Sequence, residues 1–149
     1  MKYDILKLHK KEIVKIFRLL CKEQNIKLIL VKNKKFAGEY SRDKKDKKYY
    51  IKLNITQRKE LLPAILFHEL GHHYCYKNGL WKIYHSTHAL NEQDANRYKR
   101  TALKAEKWVD DWGEKECKKL FKNVNYYKPY HQKYGIEYLR QINDNHFKN

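Results

Sequence analysis

The chain has 149 residues, with 34 Lys or Arg against 17 Asp or Glu, so its formal net charge is +17. This length suits one domain, and we expect residues 1–149 to form a single one. The charge predicts attraction to polyanions or acidic protein partners, but is not sufficient to assign nucleic-acid binding. The longest apolar stretches fall far short of the roughly 20 residues that a membrane-spanning helix needs, so we expect no membrane contact.

The three cysteines are scattered and form no Cys-x-x-Cys pair: Cys21, Cys75 and Cys117. An odd number of widely spaced cysteines is typical of reduced thiols. The N-terminus leads directly into charged, amphipathic sequence without the pattern of a signal peptide. Together these features predict a cytoplasmic protein.

The first third of the chain predicts a helix followed by a small sheet. Asp4 can cap a helix that runs to about Glu23, and its apolar residues recur on one face. Gly38, in the second predicted strand, indicates a bulge or a close approach of another element. Three strands are predicted, at 26–31, 36–41 and 49–53, with a polar loop between the last two.

Helices dominate the rest of the predicted structure. Pro63 fits the first turn of a helix over 62–78, and Gly79 fits just past its end. A further helix or helix pair covers about 91–122, with a potential break at Gly113. The tail, 123–149, is predicted to be helical. The sequence therefore predicts an α+β fold.

The segment His68-Glu69-Leu70-Gly71-His72 has the pattern His-Glu-x-x-His. Two histidines four residues apart lie on one face of a helix, so both imidazoles can reach one ion. Glu69 is then placed to act as general base toward a water molecule. Zinc suits such a site, and the apolar run before the motif favours a packed helix over a chance match. Gly71 costs helix stability, which indicates that something approaches the backbone there.

A zinc site of this kind needs a third ligand from elsewhere in the chain. Glu92, on the following helix, would complete a set of two histidines and one glutamate. Glu106 and His88 are the alternative third ligands. A hydrolytic site also needs a donor for the oxyanion, and the candidates are His73, Tyr74, His85 and His88.

These motifs together resemble the ImmA/IrrE family of small gluzincin-type metallopeptidases. The resemblance covers roughly residues 1–122, and only the His-Glu-Leu-Gly-His segment is specific. The stretch 102–108 also fits a related Glu-x-x-Ala-x-x-Trp pattern, with Ala102 at the acidic position. In that register either the third ligand is lost or Glu106 replaces it one turn later. The other matching residues are Gly38, Tyr40, Ile51, Leu53, Asn54, Glu92, Ala95, Asn96 and Tyr98.

The resemblance implies a minimal zincin-like fold and a zinc metallopeptidase from a phage or mobile element. Its substrate would be a specific protein, such as a helix-turn-helix repressor that binds DNA. One alternative is a SprT-like, DNA-associated protease, in which His88 completes a three-histidine site. Another is a non-catalytic basic module, whose mixed Tyr and Lys residues near the C-terminus would contact DNA.

Overall fold

The computed structural model describes residues 2–32, 37–43, 45–80 and 92–126, with side chains described from residue 104 onward in the last range. Within these ranges the fold is α+β, as predicted. A 3-10 turn, Ile5–Lys7, follows the first strand. The elements are β1 (Tyr3–Asp4), α1 (Lys10–Glu23), β2 (Ile26–Val31), β3 (Gly38–Asp43), β4 (Lys48–Asn54), α2 (Leu62–Lys77), α3 (Glu92–Leu120) and β5 (Phe121–Lys122).

The first helix is interrupted near its predicted start. The Asp4 carboxylate accepts a hydrogen bond from the Leu6 N–H at 3.1 Å and caps only the 3-10 turn. The chain then extends through Leu8 and His9 before α1 begins at Lys10. The prediction of one helix from Asp4 was therefore wrong, whereas its end at Glu23 is confirmed. The apolar stripe is also confirmed, with Ile13, Phe17 and Cys21 buried.

The three predicted strands form one sheet in the order β2-β4-β3. β2 runs parallel to β4, and β3 runs antiparallel to it, so Leu28 and Tyr40 both lie opposite Ile51. Residues that lie directly opposite each other on neighbouring strands point to the same face of the sheet. Here that face packs on the helices. The turn between β3 and β4 is shorter than predicted, since β3 continues to Asp43.

The motif helix α2 is the centre of the fold. It lies against β3 and β4 on one side and against α3 on another. Every residue from 62 to 71 is buried, as expected for a helix covered on several sides. Leu66 is fully buried, and burial of such a side chain contributes about 1.5–3 kcal/mol.

Two glycines allow α2 and α3 to pack closely. A Cβ atom on Gly71 would lie 2.8 Å from Val109 Cγ1, and one on Gly113 would lie 3.0 Å from the backbone carbonyl of Phe67. The close approach predicted at Gly71 is confirmed. Of the two predicted forms, one helix or a pair broken at Gly113, the structure has one helix, since α3 runs continuously through Gly113. The absence of a side chain there lets α3 contact the backbone of α2.

The end of α3 returns to the start of the chain. β1 and β5 pair in parallel, with Tyr3 opposite Phe121, and Asn123 Nδ2 donates to Asp4 Oδ1 at 2.9 Å. Residues 123–126 are not helical, and the rest of the tail predicted to be helical lies outside the described residues. In the described part of the chain, no helix has the length and apolarity to span a bilayer.

Candidate metal centre

Three side chains from α2 and α3 converge on one point: His68, His72 and Glu106. His68 Nε2 lies 2.9 Å from Glu106 Oε2, and His72 Nε2 lies 3.2 Å from Glu106 Oε1. The two Nε2 atoms are 3.2 Å apart. One ligand atom from each residue lies within 4.8 Å of the others, so this group could hold a metal ion.

The spacing of these atoms is close to what a metal requires. Tetrahedral zinc with bonds of 2.0–2.2 Å places its ligand atoms about 3.3–3.6 Å apart. The separations of 2.9–3.2 Å are slightly shorter, as expected where hydrogen bonds join the same atoms. A small outward movement of the side chains would accommodate the ion.

Asp110 fixes the orientation of the His68 ring. Its Oδ1 atom lies 2.7 Å from His68 Nδ1. Asp110 follows Glu106 by four residues and therefore lies on the same face of α3. A proton on Nδ1 that is donated to Asp110 leaves Nε2 free to bind a metal. Sequence analysis missed Asp110, although its helical spacing from Glu106 is a signal that could have identified it.

The ionisable side chains of this group shift one another's pKa values. Burial opposes protonation of His68, but its hydrogen bonds with Asp110 and Glu106 outweigh this and raise its pKa to about 10. Burial raises the pKa of Glu106, yet its hydrogen bonds with His68 and His72 hold that pKa well below the usual range. The metal-free site is therefore an ion pair, and a bound cation would displace the His68 proton.

Glu69 lies on the side of the site that faces β3. It is buried, and its Cγ atom would be 3.3 Å from a Cβ on Gly38, so the glycine makes room for it. Burial raises the pKa of Glu69, partly offset by the positive charges of His68 and His72. A carboxylate whose pKa is raised in this way accepts a proton more readily than an exposed one does.

The two described candidates for the oxyanion donor have other contacts. His73 Nδ1 lies 2.7 Å from the Tyr40 hydroxyl, and burial together with the charge of Lys77 lowers the His73 pKa to about 4. Tyr74 is 42% exposed and stacks on Trp108 and Trp112 at 6.0 and 5.1 Å between ring centroids. His73 thus tethers α2 to β3, and Tyr74 covers the α2–α3 surface.

Three predicted site residues cannot be placed in this group. Glu92 begins α3, but its side chain lies outside the described residues, as do His85 and His88 as a whole. Their roles stay predictions. Among the side chains that the structure describes, Glu106 is the candidate third ligand, and it lies beside both histidines.

Comparison with protein-family models, with curated proteins and with solved structures finds no match for this chain. The resemblance to the ImmA/IrrE family therefore stays a prediction.

Proposed function

We propose that the protein is a zinc-dependent metallopeptidase whose metal ligands are His68, His72 and Glu106. The observation that carries this proposal is the convergence of two imidazoles and a carboxylate beside a buried fourth group, Glu69. A hydrolytic zinc site has this composition: three protein ligands and an adjacent carboxylate that can act as general base.

The donor set favours zinc over magnesium and calcium. Imidazole nitrogens suit zinc, whereas magnesium and calcium bind through oxygen. Closed structural zinc sites usually have four protein ligands, often cysteines. Cys75 is the cysteine nearest in sequence, and burial raises its thiol pKa to about 11, which disfavours the thiolate that zinc requires. Three ligands without a thiolate support a catalytic site.

Bound zinc would polarise the scissile carbonyl and acidify water. The residues of the chain supply the other requirements. Glu69 would accept the proton from the attacking water and return it to the leaving amine, and its raised pKa favours holding that proton between the two transfers. Asp110 would keep His68 oriented throughout.

Glu106 is a better candidate for the third ligand than Glu92. Both lie on α3, which is one helix from residue 92 to residue 120. Fourteen residues of α-helix separate their α-carbons by about 21 Å, so both cannot reach the same ion. Because Glu106 already lies against His68 and His72, we assign the ligand to it.

Metal content tests this assignment. Elemental analysis should give about one zinc per chain for the wild type and for Glu92→Ala, and little for Glu106→Ala. A Glu92→Ala variant that loses zinc while Glu106→Ala keeps it would overturn the choice. Zinc kept in both variants would favour His88 and a SprT-like site. No zinc in any of the three proteins would favour a non-catalytic basic module.

Catalysis is tested separately with Glu69→Gln. This variant should keep its zinc but lose cleavage of a proteome-derived peptide library, read by mass spectrometry. The matched control is Glu39→Gln, an exposed acid on β3 that removes the same charge. If Glu69→Gln cleaves the library as well as the wild type does, the peptidase proposal is wrong.

The resemblance to the ImmA/IrrE family supports a substrate class. We propose that the protein acts in the cytoplasm on a DNA-binding repressor of a phage or mobile element. The net charge of +17 is compatible with action near DNA or on an acidic partner. Incubating the zinc-loaded protein with candidate helix-turn-helix repressors, with Glu69→Gln as the control, tests this proposal.

A further inference from the structure

A second group of side chains lies beyond the metal centre, between β3, β4 and the end of α2. The guanidinium of Arg42 lies 3.9 Å from the ring centroid of Tyr76, and Lys77 Nζ lies 5.3 Å from that of Tyr49. The two rings are 6.0 Å apart. We call Arg42, Tyr49, Tyr76 and Lys77 the basic–aromatic cluster. It holds two cations against two adjacent tyrosines.

Neither cation is neutralised within the described part of the chain. The ion pairs there join other residues, and no carboxylate of a described residue lies within 4.0 Å of Arg42 or Lys77. Arg42 Nε is buried and has no hydrogen-bond partner among the described residues. Because this atom is buried, a bound anion would contact the terminal nitrogens of the guanidinium instead.

The cluster is near the metal centre. Arg42 follows Tyr40 by two residues on the same face of β3, a distance of about 6.6 Å along the strand. Tyr76 follows His72 by four residues, about 6 Å along α2. The contact between Tyr40 and His73 lies between the two sites. The distance between the basic–aromatic cluster and the metal centre, about 6 Å along either element, corresponds to roughly two residues of an extended peptide.

We propose that Arg42 and Lys77 form an anion subsite that binds an acidic side chain of the polypeptide substrate, within three residues of the cleaved bond. This inference rests on the proposed peptidase function. A guanidinium fixed over an aromatic ring presents its remaining N–H groups in a fork that suits a carboxylate. The positive charge of the whole chain would attract such a substrate.

A nucleic-acid phosphate fits the cluster less well than a carboxylate. Asp43 follows Arg42 directly, and Asp46 lies in the adjoining turn, where its N–H donates to Asp43 Oδ1. These two acids would repel a continuous row of phosphates more than they repel one carboxylate. Two cations are also fewer than an extended phosphate backbone requires.

Cleavage specificity is the first test. Wild-type protein loaded with zinc should cut a proteome-derived peptide library with a preference for Asp or Glu at one position near the cut. Arg42→Met and Lys77→Met should lose that preference, and kcat/KM for an acidic peptide should fall about tenfold, mainly through KM, as for one charge-assisted hydrogen bond. Arg42→Lys keeps the positive charge but lacks the forked N–H groups. It should lose less of the acidic preference, and less kcat/KM, than Arg42→Met.

The matched control is Lys45→Met, which removes the same charge from an exposed position in the β3–β4 turn. It should keep the acidic preference. An equal loss in Lys45→Met, or no acidic preference in the wild type, would overturn the subsite. Circular dichroism should show that each variant is folded.

A binding measurement separates this inference from the peptidase proposal. Fluorescence anisotropy with the Glu69→Gln variant compares a Glu-containing peptide with a Gln-containing peptide and a single-stranded oligonucleotide. Tighter binding of the Glu peptide, lost on adding Arg42→Met, supports the subsite even if the library is not cleaved. Equal binding of both peptides overturns it, even if cleavage occurs. Oligonucleotide binding that is tightest and depends on Arg42 would overturn it in favour of a phosphate site.

Discussion

Both ring nitrogens of His68 are in contact with other side chains. Nε2 faces Glu106 and His72, while Nδ1 faces Asp110. A ring held at both ends cannot rotate without breaking a contact, so the position of this candidate metal ligand is set by the α3 helix. This arrangement makes Asp110 a positioning residue for the candidate metal centre.

We therefore expect Asp110→Asn to weaken zinc binding about 10–100-fold, because the amide supports His68 less well than the carboxylate does. Competition with a chromophoric chelator would measure the affinity. Asp111→Asn is the control, since Asp111 is exposed and its loss changes the net charge equally. Equal affinities in the two variants would show that Asp110 does not position His68.

On the side of α2 that faces β3, the Tyr40 hydroxyl contacts His73 Nδ1. Tyr40→Phe would leave the buried His73 Nδ1 atom without its partner, and we expect the free energy of unfolding to fall by about 1–3 kcal/mol. Urea denaturation would measure the loss. Tyr50→Phe serves as control, because Tyr50 alternates to the opposite face of the sheet. A loss as large in the control would contradict the role of this hydrogen bond.

At the scale of elements, the packing of α2 on α3 sets the geometry of the centre. A Cβ on Gly113 would lie 3.0 Å from the Phe67 carbonyl and 3.2 Å from the His68 nitrogen, both backbone atoms that cannot turn aside. The two helices would have to separate, and Glu106 would move away from the histidines. Helix packing and metal binding are thus linked through one glycine.

Gly113→Ala should therefore destabilise the protein by about 1–3 kcal/mol through overpacking, although alanine is intrinsically the better helix former. Lys115→Ala, at an exposed position of the same helix, should change stability by less than about 0.5 kcal/mol. Guanidinium denaturation compares the two. A more stable Gly113→Ala protein would mean that the helices adjust without strain.

Sequence reasoning succeeded where the signal is local. The four-residue spacing of His68 and His72 and the branched residues of β2 directly predicted what the structure has. The third ligand depends instead on which turn of α3 faces α2. The packing at Gly71 and Gly113 sets that alignment, and it joins residues far apart in sequence. The two-residue strands β1 and β5 are too short to produce any periodic signal.

For the whole molecule, the centre links stability to pH when no metal is bound. The folded pKa of His68, about 10, lies above its unfolded value near 6.5. Its contribution is therefore complete below about pH 6.5 and is lost as the pH rises through 10. The contribution of Glu106 to stability has the opposite pH dependence. Because its pKa is lowered in the folded state, that contribution is lost in acid.

We expect the stability difference between wild type and Glu106→Gln, measured by denaturant unfolding with a chelator, to shrink between pH 6.5 and 10. Comparing the two proteins at each pH cancels the titration of the many lysines. Saturating zinc should remove the alkaline loss, because the metal takes the place of the His68 proton. A difference that stays constant or grows toward pH 10 would contradict the ion pair.

The pairing of β1 with β5 has a consequence for the order of folding. It brings together residues as distant as Asp4 and Asn123, which are 119 positions apart. Closing so long a loop costs entropy that local contacts do not repay, so the end of α3 should dock late. During synthesis, the two histidines would leave the ribosome well before Phe121. A nascent chain would then hold the histidine pair without a seated Glu106, and the candidate metal centre would be complete only after Phe121 had been made.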